Sequence, residues 1–338
     1  MPKTTAQLFV FSRILVGALG LGAAVHAQDI AKFQVKEPNG VVRYSEPILL
    51  PNWAIGERRV FNPTVIVVGN RLAMIYRADG SSKGEHFQLA FSDDGRTFVP
   101  CASNPVMVPD SPFDQAGCED PRVVRFGETY YMTYAGNMGG GHDAQCLATS
   151  PDLIHWQKKG IVLNPQGWNG GQVKAGVIVP GKIGGKYVMY FVGQTQAWHT
   201  SIGMAVSDDL VHWAQPLDHP LMAPRPDHFD SLGVEPGATP IMVPEGILLI
   251  YNGWNPAHVH KTGWVLFSRD DPSKIVKRCE EPFIEPQFKY EIDGRHVFTF
   301  TEGAVHFKGL WRFYYGAADK TISLAEIDDL STLLKTVP

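Results

Sequence analysis

The chain has 338 residues, of which 44% are hydrophobic and 19% charged, with 34 glycines and 25 prolines. That balance excludes intrinsic disorder, collagen and coiled coil, and leaves one large folded domain or two ordinary ones. The formal charge is -4 and no run of Lys and Arg stands out, so nucleic acid is not an expected partner.

In chain order, the first predicted element is a leader. Lys3 and Arg13 come before any acid, Ile14 to Ala24 is apolar, and Val25-His26-Ala27 places small residues where a signal peptidase reads. Residues 1–27 are expected to be a secretory signal peptide cut after Ala27. The mature chain, 28–338, then carries 28 basic against 34 acidic residues, a charge of -6, and is expected in the periplasm or outside the cell with no membrane attachment. Export permits a disulfide among Cys101, Cys118, Cys146 and Cys279, although reduced, buried thiols suit a large core equally well.

The mature chain repeats itself. Strand-like runs end at Tyr76, Tyr134, Tyr190, Tyr251 and Tyr314, at intervals of 58, 56, 61 and 63. A second marker follows the first four of them: Ser92-Asp93-Asp94-Gly95, Ser150-Pro151-Asp152-Leu153, Ser207-Asp208-Asp209-Leu210 and Ser268-Arg269-Asp270-Asp271. Short β runs around Gly69-Asn70, Gly127-Glu128 and Gly184-Gly185 read as antiparallel hairpins. A unit of about sixty residues with four strands is a propeller blade, so the expected fold is an all-β, five-bladed β-propeller of four-stranded antiparallel blades forming one catalytic domain. A β-sandwich would not keep that period five times.

In a propeller the innermost strands converge on a central funnel where ligands bind. The residues just before the anchored hairpins are therefore the site candidates: Asn62, Glu119-Asp120, Lys174, Glu235 and Glu302. The Ser-Asp markers are better explained as turn chemistry. Trp198, His199, Trp254, His258 and His260 follow the third and fourth hairpins and read either as sugar subsites or as exposed packing. His258-x-His260 is too little for a metal site, and neither metal nor cofactor is expected.

Phe61-Asn62-Pro63, Gly117-Cys118-Glu119-Asp120-Pro121-Arg122, Val234-Glu235-Pro236-Gly237 and Tyr314-Tyr315-Gly316-Ala317-Ala318-Asp319 form a series. With it the chain resembles glycoside hydrolase family 130, the five-bladed mannoside phosphorylases and β-mannosidases, over residues 57–328. The resemblance implies that Asp120 matches the acid that protonates the departing sugar oxygen. It also implies that Asn62 and Arg77 line the sugar and phosphate site, and that Lys174 falls where phosphorylases have Lys-Asp. Ala175 replaces that Asp, and Tyr190-Phe191 stands where phosphorylases show His-Arg. Both departures point away from phosphate. Glu235 and Glu302 are extra carboxylates that suit activation of a water.

The expected function is therefore an exported glycosidase cleaving β-mannosides or related oligosaccharides by an inverting two-carboxylate mechanism. Asp120, Glu235 and Glu302 are its catalytic candidates. Asn62, Arg77, Glu119, Arg122, Lys174, Tyr251 and Asp319 are its substrate-binding candidates. Export supports hydrolysis, because a sugar phosphate conserves bond energy only where a cell can use it. The rivals are a phosphorylase of the same fold, a non-catalytic carbohydrate-binding propeller, and an arabinoside- or xyloside-cleaving propeller glycosidase. The expected partner is an oligosaccharide, and oligomeric state is left open.

Overall fold

The computed structural model describes residues 34–80, 84–294 and 296–335. The predicted leader and its cleavage point lie outside them. Two short N-terminal strands, β1 (Gln34–Lys36) and β2 (Val42–Tyr44), precede three successive four-stranded antiparallel sheets. The first holds β3 (Arg59–Val68), β4 (Arg71–Asp79), β5 (His86–Ser92) and β6 (Val99–Pro100). The second holds β7 (Gly117–Phe126), β8 (Thr129–Asn137), β9 (Asp143–Ser150) and β10 (Gln157–Leu163). The third holds β11 (Gln172–Ile178), β12 (Tyr187–Gln196), β13 (His199–Ser207) and β14 (Trp213–Ala214).

The remaining strands form one eleven-stranded sheet with two antiparallel groups. One group is β15 (Gly233–Pro236), β16 (Ile241–Val243), β17 (Gly246–Trp254), β18 (Val259–Phe267) and β19 (Ile275–Arg278). The other is β20 (Ile292–Asp293), β21 (His296–Phe307), β22 (Leu310–Ala317) and β23 (Thr321–Ile327), completed by β2 and β1. Two parallel residue pairs join the groups, Val259 with Val297 and His260 with Phe298.

Local chemistry explains the regularity. Gly69, Gly127 and Gly184 sit at the first three hairpin turns with φ of 59°, 59° and 57°, where a side chain would be strained. The Ser-Asp markers are repeated turns. Ser150 Oγ and Ser207 Oγ each accept the N–H three residues on, from Leu153 and Leu210, at 2.9 Å. The Trp156 and Trp213 indoles then donate to Leu153 O and Leu210 O at 2.8 and 2.9 Å. All five tyrosine anchors are buried in the packing between sheets. All four cysteines are unpaired, and Cys118, Cys146 and Cys279 are buried.

Candidate active site

Four strands, β3, β7, β11 and β21, are each interrupted close to the anchored hairpin. The β3–β4 register breaks between Phe61 and Thr64, β7–β8 between Glu119 and Arg122, β11–β12 between Lys174 and Val177, and β21–β22 between Thr301 and Gly303. A bulge leaves backbone unpaired and re-aims a side chain. Pro63 and Pro121 fall inside two of these bulges, where the missing N–H costs nothing. Asn62, Asp120 and Ala175 take φ of 48°, 51° and 52° there. Such strain in non-glycine residues concentrates at functional sites.

These bulges open into a cavity of about 410 Å³ lined by Asn62, Arg77, Asp120, Lys174, Glu235 and Asp319 at its polar part. Asp120 lies between two cations, 3.6 Å from Arg77 Nη1 and 3.9 Å from Lys174 Nζ. Arg77 Nη1 also reaches Glu119 at 3.1 Å, and its other nitrogen donates to Glu85. Lys174 is anchored on Asp143 at 3.0 Å. Burial works against the Lys174 charge, but Asp120, Asp143, Glu235 and Glu119 outweigh it and hold the ammonium well above its ordinary range. Arg59 adds a third cation to the lining, paired with Asp79. The Asn62 side-chain amide oxygen is buried without a hydrogen-bond partner among the described residues.

Glu235 is 7% exposed and faces the same cavity. Burial pushes its carboxyl up to about 7 against the pull of Lys174, with Asp120 raising it further. Asp319 is likewise raised, first by burial.

The structure does not bring every candidate to this cavity. Glu302 is fully buried behind it. Its Oε1 accepts from Arg122 at 2.8 Å and from Asn62 at 2.9 Å, while Oε2 is buried without a hydrogen-bond partner among the described residues, so the side chain faces the frame and not the cavity. Arg122 is also buried, donating to Gly237 O as well as to Glu302, and acts as a buttress. Glu119 stands behind Arg77 and accepts from Asn137 at 2.7 Å, which positions the guanidinium. Tyr251 is a core residue whose hydroxyl donates to Asp230 at 2.6 Å. Tyr190 and Phe191 are also fully buried: Tyr190 donates to Pro272 O at 2.9 Å and stacks on Phe267. Their apolar character therefore says nothing about phosphate. Gln172, Gln194, Phe61, Phe298 and Phe300 line the cavity and carried no repeat signal.

A sequence profile described as β-1,4-mannooligosaccharide phosphorylase, that of glycoside hydrolase family 130, matches residues 26–336. The chain belongs to glycoside hydrolase family 130. Two relatives come from Thermoanaerobacter sp. (strain X514). The chain is 34% identical to a 1,2-β-oligomannan phosphorylase over 299 residues and 33% identical to a β-1,2-mannobiose phosphorylase over 306, in each case 84% of this chain and 95% of the relative. A solved structure also matches with TM-score 0.75 and 29% identity, covering 83% of this chain and 91% of that one. It is reported under the statement that this family of mannoside phosphorylases contains glycoside hydrolases targeting β-1,2-mannosidic linkages in Candida mannan. The fold is thus that of the family's β-propellers, and the chain is a mannoside-active enzyme.

These relatives correct the expectation of hydrolysis as the main activity. The curated relatives at 33–34% identity are phosphorylases, and so is the family by its description. Two of the grounds for that expectation also fail in the structure, because Glu302 is turned away from the cavity and Tyr190-Phe191 is core, whereas Glu235 does face it.

Proposed function

We propose that the chain is a β-1,2-mannoside phosphorylase. A phosphate oxygen attacks the anomeric carbon of the terminal mannosyl unit, the glycosidic bond breaks, and Asp120 gives a proton to the departing oxygen. The products are mannose 1-phosphate and a saccharide one unit shorter. The observation that carries this reading is the polar end of the cavity, where one acid, Asp120, stands between Arg77 and Lys174. Two cations at this end suit a phosphate dianion, which reaches the anomeric carbon from the face opposite the departing oxygen. A carboxyl held up near 7, as at Glu235, repels that dianion least while it is protonated. The linkage is the relatives' own.

The test is product analysis by mass with β-1,2-mannobiose, with and without inorganic phosphate. Stoichiometric mannose 1-phosphate, absent without phosphate, is the expected result. Mannose alone, released at the same rate in both, sinks the reading.

With this function goes a five-bladed propeller, the eleven-stranded sheet counting as two blades because its groups touch through two residue pairs. The five tyrosine anchors support the same count. Export is proposed on the leader alone, and detection of the mature N-terminus at Gln28 in the periplasmic fraction would test it.

A further inference from the structure

The cavity has two chemically distinct ends. Asp120 and Glu235 are 6% and 7% exposed at the polar end, whereas Trp198, which lines the same cavity, is 53% exposed. Trp254, His260, Phe298 and Phe300 accompany Trp198 in the lining. Trp198 thus forms the solvent-facing part of this aromatic wall, and Trp254 and His260, buried to 2% and 3% exposure, back it.

Trp198 is held there against its own preferences. It sits in the tight turn between β12 and β13 with φ of 69°, a conformation that a bulky residue adopts at a cost. Exposing an indole is unfavourable as well. Contacts from the next sheet fix it nonetheless. The Trp254 indole donates to Trp198 O at 3.1 Å, and the Trp198 ring meets His258 edge-on at 5.0 Å between centroids. Behind it His260 Nδ1–H donates to His258 O at 3.1 Å, which leaves Nε2 as an acceptor on the cavity wall. A rigid, half-exposed indole beside a hydrogen-bond acceptor matches a pyranose, which has an apolar C–H face and a hydroxyl edge.

We propose that Trp198 is the stacking platform for the leaving saccharide, the sugar joined to the terminal mannosyl unit across the scissile bond. This rests on the phosphorylase reading above for which end holds the mannosyl unit. The buried, charged end takes that unit and phosphate. The next sugar must lie toward solvent, where Trp198 stands. Trp198 then sets how strongly the enzyme prefers a disaccharide or longer chain over a single sugar, with His260 Nε2 accepting one of its hydroxyls.

The test uses Trp198→Gly and Trp198→Phe in the full chain. Glycine at a positive φ relieves strain, so the thermal midpoint of Trp198→Gly should equal or exceed that of the wild type, which separates binding from folding. Titration calorimetry with β-1,2-mannobiose should show affinity lowered about tenfold or more in Trp198→Gly and largely kept in Trp198→Phe. Affinity for mannose 1-phosphate should stay within about twofold, since it needs only the inner end. Unchanged disaccharide affinity in Trp198→Gly overturns the proposal, and so does an equal loss for mannose 1-phosphate. Wild-type binding of the disaccharide without phosphate-dependent turnover overturns phosphorolysis alone, and the platform is still judged by the Trp198→Gly affinities. A wild type that binds no disaccharide overturns both.

Discussion

Asp120 is held 3.6 Å from one cation and 3.9 Å from another, so replacing it changes chemistry more than shape. Asp120→Asn keeps the side-chain volume and removes the transferable proton. Phosphorolysis should fall on the order of 10²–10⁴, while calorimetry still shows disaccharide binding, because general acid catalysis contributes about that much. Glu235 makes a different prediction. Its carboxyl rises from 4.5 to about 7 on folding, chiefly through burial. Between those values the folded chain keeps a proton that the unfolded chain has lost, so this contribution to stability is full below about pH 4.5 and is lost as pH rises through about 7. The thermal midpoint should therefore decline from pH 5 to pH 8, with a shallower decline in Glu235→Gln. Ionised Glu235 also repels phosphate, so KM for phosphate should climb above about pH 7 in the wild type and stay flatter in the amide variant.

The inner strands govern the site through their bulges. Gly237 shows how little room they leave. A methyl group there would lie 2.4 Å from Thr301 O and 2.8 Å from Ile250 O, both backbone atoms. The Gly237 carbonyl itself accepts from Arg122, which holds Glu302. Gly237→Ala should destabilise the fold by about 3 kcal/mol in urea unfolding, as overpacking against backbone does, and should lower turnover by shifting Arg122 and Asn62 together. Pro63 and Pro121 fall inside two of these breaks, since proline inside an inner strand needs an interruption of the pairing. The side-chain directions there were not legible. Glu235 pairs with Asn252, just past the Tyr251 anchor, whereas Glu302 stands one residue beyond Thr301, which pairs with Tyr315 just past the Tyr314 anchor; that offset of one turns Glu235 to the cavity and Glu302 to an arginine 180 positions away.

For the molecule as a whole, the chain closes on itself through its N-terminal strands. β2 pairs with β23, and Arg43 on β2 is buried against Glu291 and Glu285 O, 248 and 242 positions away. Glu291 is also held by Tyr315 at 2.7 Å. Arg43→Ala should cost ~3–5 kcal/mol in urea unfolding, because it leaves a buried carboxylate without its cation. A loss below about 1 kcal/mol would mean that closure does not depend on this pair.

Read alone, the sequence determined the sixty-residue period, the antiparallel hairpins, the place of the inner strands and the family, because turn residues, strand-like runs and short motifs act over a few positions. It also marked Asn62, Arg77, Asp120, Lys174, Glu235 and Asp319, which the fold gathers in one cavity. Only the tertiary structure decided that Glu302, Arg122 and Tyr251 belong to the frame, that Tyr190 and Phe191 are core, and that Trp198 stands at the mouth. Those outcomes depend on which partner lies across a neighbouring sheet. Arg122 meets Glu302, Tyr251 meets Asp230 and Trp254 meets the Trp198 carbonyl only once the chain has closed, and no local pattern encodes contacts made over such separations.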